Sequence, residues 1–288
     1  MPIARMGMIF FWVGMLFMAG CGSDSRYPIK MNGKYGYISK AGKLAINAQF
    51  DDVGKFSAGL APVRMGNAWG YIDSAGKLAI NPQFDIADPF SDGLALVGTG
   101  YRYGYIDRTG KLVINPQFDG AGHFSDGLAP VHVGDRWGYI DKSAKLTINP
   151  QFEEAGDFSD GLAIARAAGR FGYIDKSGAF AIQPQFDSAG DFSDGMALVA
   201  VGGKYGYVDR KGKLVINPQF DDAGEFSDGL ALAVVGARFG YIDKDGKFAI
   251  NPQYDRAGNF EEGLAPVWIG GRQGYIDKKG KFVWNPTA

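Results

Sequence analysis

The sequence predicts an all-β fold of tandem three-stranded antiparallel meanders, and two observations carry that prediction. An aromatic-Gly-Tyr tripeptide opens at Tyr35, Trp69, Tyr103, Trp137, Phe171, Tyr205 and Phe239, and again as Gln273-Gly274-Tyr275, with 34 residues between starts and no insertion. A fixed period in this range is the signature of a repeat architecture. The second observation is the local pattern, in which short runs of alternating apolar and polar residues are bounded by Gly, Asp, Asn or Pro. No window shows apolar residues at helical spacing, and Gly or Pro interrupts every few positions, so helix is not expected.

Within one repeat the elements follow in order. Leu60–Met65 reads as a first strand ending in a turn at Gly66-Asn67, residues 69–73 as a second, and residues 77–81 as a third. The turn between the second and third is an Asp-x-x-Gly sequence, clearest at Asp107-Gly110, Asp175-Gly178, Asp209-Gly212 and Asp277-Gly280. Aspartate there bonds the local backbone, and glycine supplies a positive φ. Ala144 is the exception in that glycine column. Pro82 lacks a donor and is expected to end the third strand. A polar connector of the form Ala-Gly-x-Phe-Ser-Asp-Gly then runs to the next unit, its phenylalanine (Phe56, Phe90, Phe124, Phe158, Phe192, Phe226, Phe260) expected to be buried between units.

Residues 27–288 thus read as eight three-stranded units joined by seven connectors. The chain starts on a first strand and stops on a third, with no strand to exchange between its ends. This favours an open superhelical array; the alternative is a closed eight-bladed β-propeller, in which each connector returns from an outer edge to the next inner strand.

The first 20 residues have another character. Arg5 precedes an apolar run from Met8 to Met18, then Ala19-Gly20-Cys21. The run is too short to span a bilayer comfortably, which takes about 20 apolar residues. It has the build of a secretion signal. Met18-Ala19-Gly20-Cys21 resembles the lipobox of bacterial lipoproteins, with methionine where leucine is usual. That resemblance implies a signal peptide over 1–20, lipidation of Cys21, a tether over 21–26, and a membrane-anchored protein of the bacterial cell envelope. Gly22, rather than aspartate, after the cysteine implies the outer membrane.

Net charge is −1, with basic residues spread through the repeats, so there is no footprint for nucleic acid. The single cysteine rules out an intramolecular disulfide and a cysteine-based metal cluster. The repeated sentence, basic-aromatic-Gly-Tyr-Ile-Asp-x-x-Gly-Lys followed by Pro-x-Phe-Asp and Phe-Ser-x-Gly-Leu-Ala, resembles the WG-repeat family, also described as KWG repeats. The resemblance covers essentially all of 27–288. It implies a repeat scaffold without shared catalytic residues.

Functional candidates are few. The basic column of Lys34, Arg102, Arg136, Arg170, Lys204, Arg238 and Arg272 is read as an ion-pair or stacking ladder rather than a polymer track. The recurring aspartates are read as turn chemistry. Carboxylates at translationally equivalent sites offer no asymmetric pair for hydrolysis, so no catalysis, cofactor or metal is expected. His123 and His132 lack a third ligand and read as variable surface residues. What differs between repeats must carry any specificity. Two columns vary, one through Arg64, His132, Arg166 and Trp268, the other through Asn67, Tyr101 and Asp135. Tyr101, His132, Arg166 and Trp268 are therefore the candidate binding residues. The expected role is an anchored, non-catalytic scaffold for an envelope protein or polysaccharide. The rivals are a hydrolase of cell-wall or sugar polymers and a purely structural spacer.

Overall fold

A computed structural model describes residues 26–39, 43–261 and 263–285. Every regular element in it is a strand, and all pairing is between sequence neighbours. Eight small antiparallel sheets form the blades of a β-propeller: 26–50, 52–84, 86–118, 120–152, 154–186, 188–220, 222–254 and 256–284. The blades replace the open superhelical stack, and the alternative drawn from the sequence holds. The reason lies in the connectors. Each adds a short strand to the sheet that follows it, such as Glu154–Ser159 beside Leu162–Ala167. Blades 2 to 8 therefore have four strands, and only blade 1 has three among the described residues. The signal segment, Cys21 and the start of the tether lie outside the described residues.

The added strand is made by a hairpin. In the connector turn, Asp92, Asp126, Asp160, Asp194 and Asp228 have φ of 49 to 56°, and the glycines after them 78 to 87°. Two successive positive φ values make a type I′ turn, whose twist matches that of the strands it joins. Asp-Gly is the strongest short signal for such a hairpin, so the connector could have been read as strand and turn from sequence.

The third strand does not stop at its proline. It runs from Leu78 to Phe84 and carries a bulge: Trp69 faces Phe84, yet Tyr71 faces Ile80. Gly70 alone therefore stands opposite Asn81-Pro82-Gln83. Proline is tolerated because the bulge leaves its position without a ladder bond. The glycine is forced: a Cβ on Gly70 would lie 2.4 Å from the Ile80 carbonyl oxygen and 2.7 Å from Pro82 N, and the same holds at Gly104 and Gly138. The second residue of the WG pair and the Asn-Pro dipeptide eleven positions later are thus two halves of one bulge.

Burial lies between blades. Leu60, Tyr71, Ile80 and Phe84 of blade 2 meet Ala87, Phe90, Ala95, Val97 and Ile106 of blade 3, and equivalent clusters fill each of the seven consecutive interfaces. At the centre of each, a tyrosine meets the next blade's anchor phenylalanine, as in Tyr105 with Phe124 at 4.7 Å between ring centroids. The same hydroxyl donates to the next connector's carbonyl, Tyr105 to Gly122 O at 2.8 Å. Connector serines add a third tie, Ser159 Oγ donating to Phe192 O at 2.7 Å. Connector aspartates add a fourth, the Asp126 carboxylate accepting from the Gly161 amide at 3.0 Å. The anchor phenylalanines are buried between units, as expected.

The Asp-x-x-Gly turn also behaves as expected, with Gly110 at φ 86° and Ala144 at φ 66°. The turn glycine lies against the preceding blade, where a Cβ on Gly110 would come 3.0 Å from Ile80 Cγ2. Ala144 already packs on the cluster containing Ile114. Three substitutions separate these constraints. Gly104→Ala collides with backbone that cannot give, and should cost about 3 kcal/mol or more. Gly110→Ala meets strain and a movable side chain, and should cost about 1 kcal/mol. Ala144→Gly relieves φ but uncovers a methyl group worth about 0.8 kcal/mol, so its melting temperature should barely move. Chemical denaturation of the three variants checks the order.

Candidate functional site: the axial face

The strands of each blade run between two ends of the ring. One end, the upper face, carries the Gly66-Asn67 type of turn; the lower face carries the Ser-Asp-Gly and Asp-x-x-Gly turns. On the lower face the repeated aspartates are consumed by structure. Asp73 Oδ1 accepts from the amides of Ala75 and Lys77. Asp92 accepts from the Gly127 amide and pairs with Lys142 at 2.8 Å. On the upper face the basic column is a ladder of surface pairs. Lys34 meets Asp51 at 2.5 Å, Arg102 meets Asp119 at 2.7 Å, and Arg170 and Arg238 meet Asp187 and Asp255. The hydrogen bond from Lys34, then that from the Gly66 amide, hold the Asp51 carboxyl below its usual range. The sequence reading of both columns holds.

The variable residues converge on the upper face. His132, Arg166 and Trp268 lie on the second strands of blades 4, 5 and 8, each directly opposite the first residue of the inner strand: Gly120, Glu154 and Arg256. Their partners vary with them. Arg64 faces Asp52 at 3.8 Å, Arg166 faces Glu154 at 2.5 Å, and the Arg256 guanidinium lies 5.4 Å over the Trp268 ring. His132 and Trp137 rings are 5.1 Å apart, and Ile86 fills the space over Gly98. Tyr101 stands apart at the tip of the blade 3 turn, 98 % exposed. The four candidates share a face without touching one another. The inner-strand members of these pairs, notably Asp52, Glu154 and Arg256, are binding candidates that the sequence reading missed; repeat columns that change together two positions into the connector were the available signal.

Below that mouth lies a polar axis that the sequence reading also missed. In blades 4 to 7 the variable residue of Ala-Gly-x-Phe contributes to it, as His123, Asp157, Asp191 and Glu225, so positions 34 apart in sequence become neighbours; blade 3 contributes Asp88, from the glycine position of the same motif. His123 is no surface residue: its Nδ1 lies 3.0 Å from Asp157 Oδ2 and its Nε2 3.3 Å from Asp88 Oδ2, while its amide donates to Asp157 Oδ1 at 2.9 Å. Three successive blades meet at one imidazole. Burial works against its charge, but the bonds to Asp157 and Asp88 outweigh it and hold the imidazole pKa up at about 10. Asp191 and Glu225 continue the column. Burial, then the charges of Glu225 and Asp157, push the Asp191 carboxyl up to about 7, and burial raises Glu225 against a bond from the Asp191 amide. Carboxylates that the translational picture keeps apart are brought together by rotation. Among the described residues no cluster of three or more His, Cys, Asp and Glu side chains could hold a metal ion.

A family model described as "WG containing repeat" matches seven times, over residues 35–67, 69–102, 103–137, 137–169, 171–205, 205–237 and 239–272. The chain belongs to the WG-repeat family. No curated protein matches it in sequence. Among solved structures, one described as a eukaryotic initiation factor is similar at a TM-score of 0.64 and 11% identity, over 92% of this chain and 85% of that one. The dihydro-heme d1 dehydrogenase NirN is similar at 0.56 and 14%, over 92% and 74%. Hsv2p of Kluyveromyces lactis is similar at 0.50 and 9%, over 78% and 92%. At these identities the likeness is one of fold alone.

The axis sets a pH dependence of one sign in two successive windows, since both groups have raised pKa values. The Asp191 pKa is raised on folding, so its protonated form is the favoured one, and stability falls as pH rises from about 4 towards 7. Asp191→Asn should therefore melt near the wild type at pH 4 and above it at pH 8. The His123 pKa is also raised, so its contribution is complete below pH 6.5 and lost as pH climbs to about 10. His123→Gln should flatten the decline in melting temperature over that window.

Proposed function

We propose that this WG-repeat protein is a membrane-anchored, non-catalytic scaffold that binds an envelope protein or polysaccharide at its upper face. One observation supports this most. The repeated aromatic, serine, aspartate and glycine columns are occupied in joining strands or blades, whereas two of the columns that differ between repeats lie around one mouth of the propeller. That mouth mixes aromatic, basic and acidic side chains, a composition suited to a macromolecular partner. Trp268 stacked under Arg256 and the fully projecting Tyr101 are the contacts expected to matter most. Capture of envelope components by the wild type, and a loss of at least about tenfold in Trp268→Ala or Tyr101→Ala with unchanged melting, checks the reading. Equal capture by all three proteins would overturn it.

Anchoring rests on the lipobox-like Met18-Ala19-Gly20-Cys21 and on the apolar run before it. A protein held by several acyl chains on Cys21 would sit stably at the membrane, each buried CH₂ contributing about 0.8 kcal/mol. Mass spectrometry of the mature protein should find a modified Cys21 at its N-terminus, and Cys21→Ser should block processing. A second reading, hydrolysis of an envelope polymer, is favoured only by the desolvated Asp191 and Glu225 carboxyls on the axis. If it holds, Asp191→Asn and Glu225→Gln abolish turnover of cell-wall glycans.

A further inference from the structure

The outer strands begin with a pattern that neither the blade contacts nor the upper mouth uses. Each leaves its Asp-x-x-Gly turn at the lower face with an apolar residue, and Leu44, Leu78, Leu112, Leu146, Leu214 and Phe248 are 38 to 51 % exposed there. The position after it adds Val113, Val215 and Val283, which are exposed as well. The residue before each of the six is a lysine, from Lys43 in blade 1 to Lys247 in blade 7. Ammonium groups and apolar side chains therefore alternate around the lower rim of the ring.

Charge separates this rim from the upper one. The upper rim also shows apolar residues, among them Met65, Val133 and Val201, but its cations are matched: Lys34 with Asp51, Arg102 with Asp119 and Lys204 with Asp221. Among the described residues, the side chains of Lys43, Lys77, Lys111, Lys145, Lys213 and Lys247 enter no ion pair or hydrogen bond. The aspartate of each turn is held by backbone amides instead, as Asp107 Oδ1 accepts from Thr109 and Lys111 at 2.8 and 3.1 Å. The excess of cations is greatest in blades 6 and 8. There the turns Arg210-Lys211-Gly212-Lys213 and Lys278-Lys279-Gly280-Lys281 each set three cations against one aspartate, Asp209 or Asp277.

Unpaired ammonium groups beside exposed leucine, valine and phenylalanine suit an anionic bilayer, whose headgroups attract the lysines while its interface takes the apolar side chains. Position agrees with charge. Arg26, where the described chain enters blade 1, pairs with Ser39 at the head of that blade's own lower turn. The 25 residues before it, with the apolar run from Met8 to Met18, join the ring at this same end. We propose that the lower rim is a docking surface for an anionic membrane, and that the propeller stands on it with its upper mouth turned away from the bilayer. The surface acts with or without lipid on Cys21. An anchor at the N-terminus sets only the distance from the membrane, whereas the rim sets the orientation and leaves the variable residues of the upper mouth open to a partner.

Quenching by nitroxide-labelled lipid tests this on the full chain bearing Cys21→Ser and one introduced cysteine that carries a fluorophore. Val215→Cys puts the label on the lower rim of blade 6, and Val201→Cys puts it on the upper rim of the same blade. On phosphatidylcholine vesicles containing phosphatidylglycerol, at low salt, the lower label should be quenched about twofold or more strongly than the upper one, and high salt should shrink the difference. Lys211→Glu combined with Lys213→Glu should remove most of it at an unchanged melting temperature, since both side chains are exposed. Equal quenching of the two labels on anionic vesicles, or stronger quenching of the upper one, overturns the proposal. So does a chain that stays off anionic vesicles, whether single or paired with a second copy in solution. Attachment that ignores lipid charge and favours neither label belongs to the N-terminal anchor alone and also overturns it. A preference for the lower label confined to anionic vesicles supports the rim even where the anchor fails, so the two readings fail separately.

Discussion

Everything in this molecule depends on the contact between one blade and the next. A four-stranded sheet of about 30 residues has two apolar faces and no helix to cover either, so it is stable only between neighbours. The tyrosine of one blade and the anchor phenylalanine of the next form the centre of that contact, with the tyrosine hydroxyl satisfied by a connector carbonyl. Burial pushes these phenols well above their ordinary pKa, so the hydroxyl remains a donor. Side-chain ties from serine and aspartate then close the edges of each interface. The repeated residues are repeated because each interface asks the same question.

The same contact explains where variation is permitted. Positions inside an interface meet a fixed partner 17 to 35 residues away, and a change on one side leaves a cavity or an unpaired polar group on the other. At the upper mouth the partner of each variable residue sits on the adjacent strand of the same blade, as with Arg166 and Glu154 or Trp268 and Arg256. Such pairs can change together within one repeat without disturbing the next. The propeller thus has a rigid frame and an individual surface, and the two are decoupled by geometry.

The axis is a compromise between repetition and charge. Rotational symmetry brings the connectors of successive blades together on the axis, where identical carboxylates would repel. This chain varies the residue before the anchor phenylalanine, through Lys55, Pro89, His123, Asp157, Asp191, Glu225 and Asn259. His123 between Asp88 and Asp157 neutralises one section, and the raised pKa values of Asp191 and Glu225 mark the section without a cation.

How much of this was legible in the sequence follows from the range of each interaction. Strand identity, the turn glycines, the positive φ of Ala144, the buried phenylalanines and the ion-pair ladder are local or separated by a fixed interval, and the 34-residue period exposed them directly. The fourth strand was also legible in the Asp-Gly turn, but its pairing was masked by a polar, glycine-rich composition. The Asn-Pro bulge was not, because proline reads as a strand end until the opposing glycine is seen to accept it. Period alone does not distinguish translation from rotation, since both place equal residues at equal intervals. That choice is made in the packing of successive blades, where the inner strand of one meets the inner strand of the next, as Glu154–Ser159 meets Ser188–Ser193. Only the tertiary structure could therefore turn columns along a sequence into rings, bring His123 between two aspartates, and gather the variable residues on one face.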